Sequence, residues 1–207
     1  MGVEAKRPLT VVISGPSGAG KDETVKGVLN RLGPRAKRVV TYTSRPPREN
    51  EVPGVDYVFV SREEFEAMIS RNEFEEYVYY GGDVGNNIPG DYKGTTKESM
   101  KKVPGGVTIL RIDPKRAAYV AKFAADTEDK NTKVFYIGVE NLFVLKKRAT
   151  IRGDYKRPTF NARLREDWVV WKENEQVFRE KGTVIINRDG ELEKTIDGVI
   201  EVIESTK

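Results

Sequence analysis

Short apolar runs alternate along this chain with stretches of helical period, and that alternation sets the first expectations. Val11, Val12 and Ile13 are apolar at consecutive positions, as in a strand buried on both faces. The pattern predicts strand 9–14, helix 22–32, strand 38–42, a Pro/Arg-rich turn over 44–54, and strand 56–60. Ser61 followed by Glu64 is a capping box, and Phe65, Met68 and Ile69 share one helical face, so 62–71 is predicted as a short helix. Residues 74–80 read as a strand. Gly81, Gly82, Gly85 and Gly90, with Asn86, Asn87 and Pro89, predict an irregular loop ending near Lys93. Then follow a short helix 96–102, strand 107–112, helix 114–125, strand 133–138 and helix 140–150. A mobile connection over 151–159, with Gly153 and Pro158, leads to helix 160–181, strand 183–187 and helix 190–204. Strands alternating with helices predict an α/β fold built on a parallel sheet flanked by helices.

Between the first strand and the first helix runs Gly15, Pro16, Ser17, Gly18, Ala19, Gly20, Lys21. This is the layout of a phosphate-binding loop in the strand-to-helix setting that it requires. Glycine allows positive φ and close approach, so successive N–H groups and the helix N-terminus can be aimed at phosphates. Lys21 is then expected to reach the β and γ phosphates. Asp22 stands where the motif has Ser or Thr, whose hydroxyl helps to hold magnesium. Two roles stay open for it: a carboxylate ligand of Mg2+, or a complement to the positive end of the following helix.

The length of 207 residues suits one α/β domain with possible mobile subdomains. No run approaches a membrane span and no secretory signal is evident at the N-terminus, so a cytoplasmic protein without membrane partners is expected. A net charge of +4 favours anionic ligands, but acidic and basic residues are interspersed, and no basic and aromatic strip suggests nucleic acid. The chain has neither His nor Cys. That excludes a Ser-His-Asp triad, a cysteine nucleophile and a conventional zinc site, yet leaves phosphoryl transfer to a phosphate acceptor open, because the acceptor needs no general base.

From Thr41 the chain reads TYTSRPPRENEVPGVDYVFVSREEFEAMI, and here it resembles guanylate kinases. The resemblance extends over nearly the whole chain, through the GPSGAGK loop, the NEFEEY segment, LKKR followed by RG and NARL, and an IIN segment. It implies a P-loop kinase fold with a nucleoside-monophosphate-binding subdomain and a lid. The implied division is a core of about 1–40, 105–147 and 164–207, a monophosphate-binding subdomain of about 41–104, and a lid of about 148–163. It also implies transfer of the γ-phosphoryl group of ATP, with Mg2+, to GMP or dGMP. Alternatives are a related kinase for another deoxynucleotide or for ribose 1,5-bisphosphate, and a non-catalytic binding module.

At the matching positions, Arg45, Arg48 and Tyr57 are implied to bind the acceptor phosphate, with Thr41 assisting. Glu76 is implied to read guanine N1–H and the exocyclic amine, and Thr95 the carbonyl oxygen. Glu75, next door, is its bland competitor. Asp113 matches an acidic position near guanine and the metal, so Asp22 and Asp113 are the metal candidates. Arg148, Arg152 and Arg163 match lid arginines that would neutralise the transferring group, and Asn187 matches a position near adenine. Trp168 and Trp171 read as packing residues. Two departures stand out: guanylate kinases usually carry a tyrosine before Gly94, where this chain has Lys93 after Tyr92, and Arg111 replaces an acidic residue. Lys93 therefore either makes a new phosphate contact or yields to Tyr92 through a bulge. Arg111 is either an outward ion-pair residue or an extra phosphate ligand.

Overall fold

The computed structural model describes residues 7–47, 49, 51–80, 90–151, 153 and 157–206, with the backbone alone at Tyr80, Leu142, 157–159 and Arg163. The chain divides into two compact units, one of residues 1–38 and 102–207, the other of 39–101.

The first unit is an all-parallel five-stranded sheet in the order β2-β7-β1-β8-β9, made of β1 (Leu9–Ser14), β2 (Ala36–Arg38), β7 (Val107–Arg111), β8 (Thr132–Gly138) and β9 (Thr183–Ile186). Strand alternation sends its apolar residues to two cores. Val11, Ile13, Phe135 and Ile137 pack with Val25 and Val28 of α1 (Lys21–Leu32) and with Ile196 and Val199 of α6 (Leu192–Ser205). Val12, Val134 and Tyr136 pack with Ala117 and Ala121 of α3 (Pro114–Asp126) and with Phe178 of α5 (Arg157–Lys181). Helices on both faces explain the uninterrupted apolar strands, and each fully buried Val or Ile contributes about 1.5–3 kcal/mol. The remaining helix, α4 (Leu142–Ile151), inserts Leu145 into the first core. Trp171 stacks beside Phe178 and 4.4 Å from Tyr136, the packing role expected of it. The parallel α/β sheet is as the sequence predicted.

The second unit is a four-stranded mixed sheet, β4-β3-β6-β5, formed by β3 (Thr41–Thr43), β4 (Tyr57–Phe59), β5 (Phe74–Tyr80) and β6 (Asp91–Thr96). Its core lies under α2 (Arg62–Ser70), where Phe65 stacks between Phe74 at 4.3 Å and Tyr92 at 5.1 Å. The Ser61 hydroxyl accepts from the Glu64 N–H, as the capping box predicts.

Three expectations need correction. The predicted strand 38–42 is two strands in two sheets, because the β-branched run shows no breaker while its partners change after Arg38. The loop read as running to Lys93 gives way to β6 at Asp91, although 81–89 lie outside the described residues. No α-helix forms over 96–102: a single turn at 97–100 is held by the Thr96 hydroxyl and carbonyl, and a helix that short is costly to nucleate. Among the described residues no helix is long and apolar enough to cross a membrane.

Candidate active site

In the first unit, the loop from Gly15 to Lys21 leaves the C-terminal end of the central strand β1, the place where parallel sheets bind ligands. Gly15, Gly18 and Gly20 have φ of 141°, 86° and 92°. At Gly15 a Cβ would lie 2.1 Å from the Ile137 carbonyl oxygen, and at Gly20 one would lie 2.4 Å from Asn187 Nδ2. These two glycines are thus required by contact as well as by backbone angle. Lys21 folds back, donating from Nζ to the Gly15 and Pro16 carbonyls at 2.8 and 2.7 Å. The Ser17 N–H donates to Asp167 Oδ2 at 2.9 Å, so one loop amide already takes an anionic oxygen. Thr24 does not substitute for the missing loop hydroxyl: it is buried and donates to the Gly20 carbonyl.

Asn187, expected near adenine, braces the loop and helps to line the cavity beside it. Its Nδ2 donates to the Ala19 carbonyl at 2.8 Å, and its Oδ1 accepts from the Thr195 hydroxyl at 3.3 Å. Beside it, Gly18, Ile151, Arg188, Asp189 and Leu192 help to line a cavity of about 340 Å³, large enough for a base. Arg148 lies on this cavity, donating to the Asn187 carbonyl at 3.0 Å, the Gly18 carbonyl at 3.4 Å and Asp189 Oδ1 at 3.2 Å. The hydrogen bond from Lys147, more than that from Arg148, holds the Asp189 carboxyl below the usual range. Asp189 was not foreseen. The signal was available, since it lies just beyond the C-terminal end of a parallel strand. Arg152 lies outside the described residues, as does the Arg163 side chain, whose backbone belongs to α5.

Asp22 sits in the first turn of α1 with Oδ1 2.9 Å from Arg111 Nε and 3.5 Å from Arg38 Nη2. Arg38 and Arg111 are 9% and 19% exposed, against 44% for the acid, so the carboxylate is the counter-charge of two largely buried guanidinium groups. A dication on Asp22 would face both. Each pair of like unit charges at about 4 Å costs roughly 4 kcal/mol at an effective dielectric of about 20, before solvent screening. Asp22 therefore does not fit as a direct Mg2+ ligand. Asp113 caps α3, accepting the Arg116 N–H at 3.0 Å. Among the described residues no group of three or more His, Cys, Asp or Glu side chains is gathered for a metal.

In the second unit, register sorts the candidates by face. Tyr42 and Tyr92 pack with Phe74 and Phe65 on the α2 side. Residues one step along therefore face away from α2. Thr41 pairs with Tyr57, Thr43 pairs with Lys93, and Val78 pairs with Lys93, so all of these share that opposite face. Glu76 is directly opposite Thr95 on the same face, after a register shift at Glu75. The shift matters because it turns Glu76 away from the side that Phe74 occupies. Arg45 lies 5.0 Å from the Tyr57 ring centre, and Lys93 Nζ lies 5.3 Å from it. Glu51 grips Arg45 with two bonds of 2.6 Å, holding its fork in place. This partner was not foreseen. Tyr92 is committed to the α2 core, where burial raises its phenol pKa, so Lys93 rather than Tyr92 faces Tyr57. Arg48 lies outside the described residues.

The sequence matches the guanylate kinase family over residues 7–206. It is 32% identical to a guanylate kinase of Fusobacterium nucleatum over 197 residues, covering 94% of this chain and 95% of that one. A guanylate kinase of Helicobacter pylori is 31% identical over 188 residues, covering 90% of this chain and 82% of the relative. The crystal structure of guanylate kinase from Anaplasma phagocytophilum has the same fold, with a TM-score of 0.65 at 23% identity, over 98% of this chain and 88% of that one. With its loop, its sheet topology and relatives alike across nearly their whole length, the chain belongs to the guanylate kinase family.

Proposed function

We propose that this protein transfers the γ-phosphoryl group of ATP to GMP or dGMP, giving ADP and GDP or dGDP. An acceptor phosphate oxygen forms the new bond to the γ phosphorus, and the bond from that phosphorus to the β–γ bridging oxygen breaks. The observation that carries the reading is the pairing of Glu76 with Thr95 on the sheet face that also bears Tyr57 and Lys93. A carboxylate beside a hydroxyl matches guanine, which offers two N–H donors and a carbonyl, and matches neither adenine nor a sugar phosphate.

In this reading ATP phosphates lie on the loop amides from Gly15 to Asp22 with Lys21, and adenine in the cavity beside Arg148 and Asn187. Arg45, Arg48, Tyr57 and Lys93 hold the acceptor phosphate, and Thr41 and Asp113 support the guanine side. Arg148, Arg152 and Arg163, in a lid of about 148–163, neutralise the transferring group and exclude water. Magnesium would come bound to the ATP phosphates, keeping several waters, and would supply positive charge that offsets theirs during transfer. The protein works in the cytoplasm.

ADP formation from Mg-ATP, assayed separately with GMP, dGMP, AMP, CMP, UMP, dTMP and ribose 1,5-bisphosphate, tests the assignment. Turnover confined to GMP and dGMP is expected; turnover with another acceptor, or none at all, refutes it. Lys93→Met removes the charge beside Tyr57 while keeping a stem to pack on the ring. It is expected to raise the KM for GMP roughly tenfold and leave that for ATP within twofold, as for the loss of one charged phosphate contact. An unchanged KM for GMP would remove Lys93 from the acceptor site.

A further inference from the structure

Two charged side chains reach the cavity beside the loop from different elements, Arg148 from α4 and Asp189 from the connection between β9 and α6. The arginine uses all three of its nitrogens there. Nε donates to Asp189 Oδ1 at 3.2 Å, Nη1 to the Gly18 carbonyl at 3.4 Å and Nη2 to the Asn187 carbonyl at 3.0 Å. A guanidinium is planar, so bonds at all three nitrogens fix its plane as well as its place. Two of the acceptors are neutral carbonyls. The third is a carboxylate, and a hydrogen bond between charged groups is roughly twice as strong as a neutral one. Lys147 takes the other oxygen of that carboxylate, Oδ2, at 2.7 Å. Lys147 is 63% exposed and Arg148 only 19%, so the lysine pair stands in solvent, where such pairs contribute little, while the arginine pair belongs to the cavity wall.

We infer that Asp189 is a positioning residue for Arg148: its carboxylate, steadied by Lys147, holds the guanidinium at the rim of the loop, so that ATP meets an arginine already in place. Without the acid the guanidinium keeps two neutral acceptors, one of them at 3.4 Å. Arg148 would then give up its rotamer freedom each time a nucleotide bound, and affinity would fall accordingly. The sign of the effect separates positioning from a simple field. Removing a negative charge beside an anionic ligand tightens binding by Coulomb attraction alone, whereas losing a positioned arginine weakens it.

The inference rests on this loop and cavity being the ATP site, but not on which acceptor is used, so its main test contains no acceptor. Mg-ATP binding is titrated calorimetrically with the full chain for the wild type, Asp189→Ala and Asp189→Asn, each also in an Arg148→Met and in a Lys147→Met background, with thermal melts of all. Asp189→Ala should bind about tenfold more weakly, and Asp189→Asn, which keeps an acceptor oxygen, about threefold. The loss from Asp189→Ala should shrink to less than about twofold in the Arg148→Met background and persist in the Lys147→Met background. Unchanged or tighter binding by Asp189→Ala overturns the inference, as does a loss that survives in the Arg148→Met background or disappears in the Lys147→Met background. If Asp189→Ala does not fold, Asp189→Asn decides by the same comparison. In turnover with GMP, the KM for ATP should rise by the same factor as the calorimetric loss while that for GMP stays within about twofold; a parallel rise in both, with a lower Tm, would mark a structural role and overturn the inference. A chain that binds ATP with the expected pattern but phosphorylates no guanine nucleotide would sink the proposed function alone. Normal GMP turnover with no response of ATP binding to Asp189→Ala would sink this inference alone.

Discussion

Lys21→Met is expected to lower kcat by a thousandfold or more while the chain stays folded. The Lys21 ammonium is held by the Gly15 and Pro16 carbonyls, so in the structure it closes the loop on itself. A phosphate on the loop offers the same ammonium a stronger, charged acceptor, and the charge it meets grows as the bond to the leaving oxygen breaks. Removing one such donor commonly costs 10²–10³ in rate, and a full positive charge at the transferring phosphate should lie at or beyond the upper end. Met keeps the aliphatic stem, so the structural loss is that of the ammonium's bonds, of which the two to Gly15 and Pro16 are worth about 1.5–3 kcal/mol each, visible as a lower Tm. A kcat within tenfold of wild type, measured at saturating Mg-ATP and GMP, would mean that the loop holds ATP without help from this lysine.

The elements most legible in the sequence were those with a strong packing pattern or a clear start signal. β1 and β8 are continuous apolar runs because helices cover both their faces, and α3 announces itself with Asp113, Pro114 and a row of buried alanines. β6 was missed for the opposite reason. Its alternate residues Asp91, Lys93 and Thr95 are polar, and Gly94 is required because a Cβ there would lie 2.8 Å from the Phe74 ring. The strand is thus built to carry polar groups on one face, and period-2 hydrophobicity, the usual signal, is absent.

The candidate site divides in the same way. The loop is a short-range pattern and could be read directly, whereas Glu76 and Thr95 were implied only by the resemblance to guanylate kinases. The charge partners could not: Asp167 reaches Ser17 across 150 residues, and Arg111 meets Asp22 only because β7 lies beside β1. Sequence placed Asn187 near the nucleotide, but its function as a brace depends on an Ala19 carbonyl 168 positions away. Departures from a familiar motif were visible from the sequence as separate anomalies at 22 and 111. Only the fold joins them.

Glu76→Gln is expected to lower kcat/KM for GMP by about 10²–10³ while leaving the KM for ATP within twofold. The carboxylate offers two acceptor oxygens, matched to the N1–H and exocyclic amine of guanine. Glutamine keeps one acceptor and turns an N–H₂ toward a donor, so one charge-assisted bond is lost and a donor is left facing a donor. The two terms together amount to about 3–4 kcal/mol, which sets the expected range. Thr95 is buried directly across from Glu76, so the pair has little room to rearrange around the mismatch. The neighbouring Glu75→Gln is the control, because that side chain is exposed in the register shift and should change kcat/KM less than twofold. If Glu76→Gln retained normal GMP kinetics, the base would be read elsewhere. If both variants fell equally, the loss would lie in the strand rather than in recognition. A large fall in Glu76→Gln alone would tie specificity to the bulge that turns this one carboxylate to the face of Tyr57, Lys93 and Thr95.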